Sequence, residues 1–141
     1  MQLIDIKAVE NHQSILYELL KERDPETNIS HKEMPSFEEH CEFIKNHPYE
    51  AWYLIKVADD FVGAIYLTSP PRKSTAGNEI GIFIFKEHQA QGYGSKAIKM
   101  LMQMHGKRRY LANISPLNTR SIKMFRKLGF SLCQYTLEGG E

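Results

Sequence analysis

Residues 79–85, EIGIFIF, form an almost unbroken apolar run, and a glycine-bearing turn, KEHQAQGYG, joins it to SKAIKMLM. An apolar run without polar alternation is the pattern of a strand covered on both faces. After Gly94, the residues Ala97, Ile98, Leu101 and Met102 recur with the helical period, and Gly106 closes the helix. A buried strand, a glycine turn and an amphipathic helix in this order call for a mixed α/β fold.

The other elements agree with that class. Residues 2–9 alternate apolar and polar and read as a strand. Ile15, Leu16, Leu19 and Leu20 share one face of a helix that ends near Lys21. Ser36 with Glu39 is a capping-box pair, which starts a second helix running to about Lys45. Residues 51–57 and 61–67 are rich in β-branched and aromatic side chains, and their short link predicts a hairpin. Residues 110–115 read as another strand. Asn118 can cap a helix that buries Ile122, Phe125 and Leu128 and stops at Gly129. Residues 130–137 read as a last strand. With no repeat or internal linker, residues 1–141 are read as one domain.

Composition excludes several classes. The chain is 42% hydrophobic and 25% charged, which suits a globular protein. No apolar run approaches the ~18 residues of a membrane span, and the first residues lack the pattern of a signal peptide. Cys41 and Cys133 are too few for a disulfide framework and wrongly spaced for a metal site. A reducing, cytoplasmic setting and no metal are therefore expected.

Charge is divided unevenly. Between His88 and Leu137 there are nine Lys and Arg and no Asp or Glu, leaving nine basic against seventeen acidic residues elsewhere. Such a division suits a phosphorylated cofactor or a nucleic acid, or two halves that attract each other. Gly92 and Gly94 permit close approach of a ligand to the backbone, and the helix start behind them favours a phosphate. Gly92, Gly94 and Ala97 also satisfy the dinucleotide pattern G-x-G-x-x-A, but no acid follows about 20 residues on to hold a ribose. No GxxxxGK[ST] element is present either.

Gln89-Ala90-Gln91-Gly92-Tyr93-Gly94 resembles the Q/R-x-x-G-x-G/A loop of the GNAT-type N-acetyltransferases. Asn118, Ser121, Phe125, Gly129 and Phe130 are similarly spaced to that superfamily's N-x-x-A/S-x-x-x-Y/F-x-x-x-G-F helix. The resemblance implies a central, mostly antiparallel, splayed sheet flanked by about four helices. It implies acetyl-CoA as co-substrate, its pantetheine lying along Ile82, Phe83 and Ile84 like an added strand. Backbone N–H groups of Ala90, Gln91, Gly92, Tyr93, Gly94 and Ser95 would hold the pyrophosphate, with Gln89 opening the same cofactor-binding loop. Asn113 or Asn118 would bond the cofactor from the other side, Phe125 would pack against it, and Lys96, Lys99, Arg120 and Lys123 could meet its phosphates.

Acetyl transfer to an amine needs a base to remove the ammonium proton. With no carboxylate between 88 and 137, the base comes from elsewhere or is a histidine. The resemblance implies Glu79 first, because members often carry a working glutamate on this strand, and His31 and Glu33 second, in a loop that commonly covers the acceptor site. Where many members of the family carry a tyrosine acid this chain has Phe125, which cannot donate a proton. Water or another hydroxyl, such as Tyr93, Tyr110 or Ser121, would have to serve. Asn113 stands where some peptide-acetylating relatives have a glutamate. The expected acceptor is a small-molecule primary amine, such as an amine, amino sugar or amino acid. A peptide amine, a non-catalytic acyl-CoA-binding module and a nucleic-acid binder are the alternatives; the last needs an exposed basic patch with aromatics. Neither nucleic acid nor membrane is expected as a partner. Little chain follows residue 137 for the family's usual seventh strand, and a partner in a homodimer could complete that edge.

Overall fold

The computed structural model describes residues 1–23, 33–70 and 77–140. Five strands form one sheet in the order β1-β2-β3-β4-β5: Gln2–Asp5, Tyr49–Val57, Asp60–Thr68, Asn78–Ile84 and Tyr110–Leu111. The first four pair antiparallel and β5 joins β4 in parallel. Four α-helices flank them: α1 His12–Lys21, α2 Phe37–Lys45, α3 Tyr93–His105 and α4 Thr119–Lys127.

Local chemistry sets the element ends. The β1 strand stops at Asp5, whose side chain accepts from the Lys7 N–H at 2.9 Å and turns residues 6–8 into a 3₁₀ turn. The expected strand over 2–9 is therefore half as long as its alternation suggests. The Ser36–Glu39 capping box forms with both bonds at 3.1 Å. Between β2 and β3, Ala58 takes a left-handed φ of 54° to make the tight link.

Because strand side chains alternate between faces, adjacent residues feed two cores. Ile55, Val62, Ile65, Leu67 and Ile80 pack under Ala97, Ile98 and Leu101 of α3 and Phe125 of α4. On the other face Trp52, Leu54 and Ala64 pack under Leu16 and Leu19 of α1 and Ile44 of α2. Each fully buried Leu or Ile contributes about 1.5–3 kcal/mol, so the two layers of aliphatics hold the sheet between the helix pairs.

Two expectations about the C-terminal strands are corrected. The strand over 110–115 shortens to Tyr110–Leu111, because β5 pairs with β4 only at Asn78–Tyr110 and Glu79–Leu111 and then diverges. The strand over 130–137 is absent: after Phe130 the chain has no regular structure, and Leu132, Tyr135 and Leu137 are exposed. Alternation alone cannot make a strand, since its backbone groups need a neighbouring edge to pair with, and the divergence of β5 removes that edge.

Candidate functional site

The divergence of β5 from β4 opens a slot along one edge of β4. The Phe85 N–H donates to Val62 O at 2.9 Å, which fixes the alternation of the antiparallel ladder with β3. Phe83 and Gly81, paired with Ala64 and Tyr66, spend their backbone groups on β3. Ile80, Ile82 and Ile84 point theirs the other way: Ile80 against the last pair with β5, Ile82 and Ile84 into the slot beyond it. Of the three expected cofactor-holding residues on this strand, Ile82 and Ile84 thus present backbone groups and Phe83 does not. The carbonyl of Ile84 already accepts from Gln89 Nε2 at 3.0 Å.

At the far end of the slot the chain turns through a 3₁₀ turn at Lys86–His88 into the loop before α3. Ala90 and Gly92 adopt left-handed φ values of 64° and 81°, which direct the following amides outward at the helix start. The first intrahelical bond beyond the cap runs from the Lys96 N–H to Gly92 O at 3.2 Å, so the Tyr93, Gly94 and Ser95 amides belong to the unpaired first turn. A Cβ at Gly92 would meet nothing within 4 Å, whereas at Gly94 it would lie 3.0 Å from Met124 Sδ. The two glycines therefore differ: Gly92 is required by its φ beside open space, and Gly94 lets α4 approach α3.

The Gln89 side chain is bonded within the protein. Its amide N–H donates to Ile84 and its Oε1 accepts from Arg120, so it ties β4 to α4 and holds a guanidinium beside the loop. The exposed side chains of Lys96, Lys99 and Lys123 remain in solvent on the same two helices. Arg108 is engaged elsewhere, bonded to Glu50 at 2.8 Å; at that position the attraction between the basic and acidic parts is realised.

The remaining candidates fall unevenly. Asn118 caps α4, its Oδ1 accepting from the Ser121 N–H at 3.2 Å. Asn113 is exposed beyond the end of β5. Phe125 is 4% exposed and packs edge-on against Phe130, so its ring is part of the core and presents no open face to a cofactor. Glu33 is exposed, and His31 lies outside the described residues.

Glu79 sits where the slot begins, on the α1/α2 face of the sheet. Its N–H donates to Thr68 Oγ1 at 2.8 Å, and among the described residues nothing hydrogen-bonds its carboxylate. Its neighbours on that face are residues no motif singles out. The Tyr66 ring lies flat across β4 so closely that a Cβ on Gly81 would fall 2.0 Å from its Cζ. Tyr49 stacks on Tyr66 with centroids 4.1 Å apart and planes within 4°. Arg23 places its guanidinium 4.4 Å over the Phe83 ring. Burial raises the hydroxyls of Tyr49 and Tyr66 above the usual tyrosine range, and the charge on Glu79 raises them further while Arg23 opposes. Both phenols therefore stay protonated through neutral pH. The signal for this cluster is Gly81 itself, since a lone glycine inside an apolar strand marks a close approach. Arg23 leaves no such mark.

Among the described residues no group of three His, Cys, Asp or Glu could hold a metal ion, and no helix is long and apolar enough to cross a membrane. A groove of about 520 Å³ between Ile6, His12 and α2 shares no residue with the slot.

The family model for the acetyltransferase (GNAT) family matches residues 14–130. A domain from Methanocaldococcus jannaschii DSM 2661 superposes with a TM-score of 0.79 at 20% identity, over 97% of this chain and 92% of that one. A spermidine N-acetyltransferase from Vibrio cholerae, in complex with CoA and spermine, gives 0.76 at 15% identity over 98% and 85%. A ribosomal L7/L12 alpha-N-protein acetyltransferase in complex with coenzyme A gives 0.73 at 20% identity over 94% and 80%. No curated protein matches the sequence.

Proposed function

The chain belongs to the acetyltransferase (GNAT) family, and from that premise we propose that it transfers the acetyl group of acetyl-CoA to a primary amine of a small-molecule acceptor. The observation that carries this reading is the half-paired edge of β4, which leads at one end to the open amides before α3 and at the other to Glu79. The residues fit an extended, phosphate-tailed ligand. Ile82 lies past the last β4–β5 pair and turns its backbone groups to the slot, and a Cβ at Gly92 would meet only open space at the positive end of a helix dipole. Arg120, positioned by Gln89, adds a charge there, and no carboxylate between 88 and 137 opposes it. Acetyl-CoA, when bound, supplies an acyl group already activated as a thioester.

The chain's own residues then handle protons. An alkyl ammonium with a pKa near ~10.4 must become neutral before it can attack. Glu79 takes that proton, directly or through a water; what supports this is that, among the described residues, no hydrogen bond engages its carboxylate. Phe125 leaves the usual tyrosine acid missing, and its burial excludes it from any proton transfer. Tyr66, held protonated beside Glu79, is a donor on the acceptor face. The fold relatives name acceptors as different as spermine and a ribosomal protein, so the preference for a small molecule rests on this compact aromatic face.

Two measurements test the reading. In a thermal-shift titration against acetyl-CoA, CoA, NADH and ATP, only the two CoA species should stabilise the protein, by about 2.7 kcal/mol at 100 times Kd. Thiol release should then accompany acetylation of members of an amine panel. Equal stabilisation by NADH, or CoA binding with no amine acetylated, would overturn the proposal.

A further inference from the structure

The end of α1 is drawn onto β4 by two successive residues. Glu22 accepts the Lys86 N–H at 2.7 Å, and Arg23 stacks over Phe83 at 4.4 Å. Phe83, Gly81 and Glu79 lie on one face of the strand, and Tyr66 covers Gly81 between the other two. The phenol of Tyr66 feels both the Glu79 carboxylate and the Arg23 guanidinium. An anion and a cation thus flank one aromatic floor on this face of β4.

On the acetyl-transfer reading given above, we infer that the acceptor is an amine that also carries an anion, a carboxylate or a phosphate, and that Arg23 receives this anion while Glu79 faces the ammonium. A guanidinium stacked on an aromatic ring keeps its edge N–H groups in a planar fork suited to either oxyanion. With five N–H donors it can serve such a ligand alongside another partner. Its stacking matters as much as its charge, because the ring has already fixed the plane in which the fork must be met.

The same cation works against polyamines and plain alkylamines. The cation–π position over Phe83, which an aromatic cage would offer to a substrate ammonium, is occupied by Arg23. Its charge also disfavours further cations nearby, as it does at His40, whose pKa it helps to lower. An acceptor with several ammonium groups would bring like charges onto this face, whereas a zwitterion matches it group for group.

The test uses matched acceptors with acetyl-CoA and thiol detection. Amino acids are paired with the amines left by removing their carboxylate, phosphoethanolamine is paired with ethanolamine, and spermidine is added. The anion-bearing member of at least one series should show a kcat/KM at least tenfold higher, and the series that responds separates carboxylate from phosphate. In Arg23→Gln that ratio should collapse towards one through KM, and in Arg23→Lys it should persist in part, because the charge remains but the fork is lost. Acetyl-CoA affinity of each variant reports whether the fold survives. A preference for spermidine or for the plain amines, or a ratio unchanged in Arg23→Gln, overturns the inference. If no acceptor is acetylated, calorimetric binding of the same pairs to the protein–CoA complex separates the two ideas. Tenfold tighter binding of the anion-bearing member, lost in Arg23→Gln, would uphold Arg23 and sink the transfer reading. Equal binding of both members would sink the inference as well.

Discussion

Under α3 and α4 the sheet presents Ile55, Ile65, Leu67 and Ile80, and the polar groups at the slot beside them are backbone amides and carbonyls. Under α1 and α2 it presents Tyr49, Trp52, Tyr66 and Phe83, and the charged groups beside them are the side chains of Glu79 and Arg23. The first arrangement suits a ligand that is the same for a whole family, because main-chain geometry recognises an extended arm and a pyrophosphate without help from particular side chains. The second suits selection of an acceptor, since each group there can be exchanged without disturbing the ladder. On the proposed reading, cofactor binding and acceptor choice fall on different sides of one strand, β4, and can be broken separately.

The largest separation is expected from Glu79→Gln, which keeps the shape and removes the base. Turnover should fall about a hundredfold or more while acetyl-CoA affinity measured by calorimetry stays the same; turnover within twofold of the parent would remove Glu79 from the chemistry. Next comes Gly81→Ala. Its Cβ would sit 2.0 Å from the Tyr66 ring, which is pinned by stacking on Tyr49. Overpacking of this kind costs about 1–3 kcal/mol, so the melting temperature should drop and the acceptor KM should rise more than the acetyl-CoA Kd. An equal loss in both constants would show that the two faces are not independent.

On the cofactor side, Gly92→Val forces a β-branched residue to a φ of 81°, a strain of about 1–3 kcal/mol. Acetyl-CoA should bind roughly tenfold more weakly, since each 1.4 kcal/mol is tenfold in affinity. Gly94→Ala meets only the flexible end of Met124 at 3.0 Å, so its effect on cofactor affinity should be smaller; the reverse order would mean that Gly94, not Gly92, controls the loop.

The smallest effect concerns stability and pH. His40 is buried with its Nε2 lacking a partner among the described residues, and burial, aided by Arg23, lowers its pKa. In the unfolded chain the imidazole takes a proton near pH ~6.5, before it does so in the folded protein. Its share of stability is therefore present above that pH and is lost as the pH falls below it towards the folded value. The melting temperature should drop on acidification from pH 7 to 5, and His40→Phe should flatten that slope. An unchanged slope would assign the acid sensitivity to other groups.

Much of this division was open to a reader of the residues alone. The Gln89–Gly94 loop, the Asn118–Phe130 spacing and the apolar run of β4 identified the family's fold and the cofactor side, because binding by backbone depends on glycines and periodicity that are written locally. The capping box at Ser36 and the hairpin link at 58–60 were legible for the same reason. What the tertiary structure decided is of another kind. The strand expected over 130–137 does not form, although its alternation is intact, because pairing depends on an edge that β5 withdraws. Gln89, read only as the start of the cofactor loop, turns its side chain to Ile84 and Arg120 and so joins β4 to α4. Phe125, read as a cofactor neighbour, closes the core. Arg23, Tyr49 and Tyr66 come from three separate segments onto the Glu79–Phe83 face of β4, and no local pattern can announce a contact made across the sheet. Periodicity and turn chemistry act between neighbours in the chain and so survive in the sequence; register, splay and side-chain convergence act between distant segments and exist only once the chain has folded.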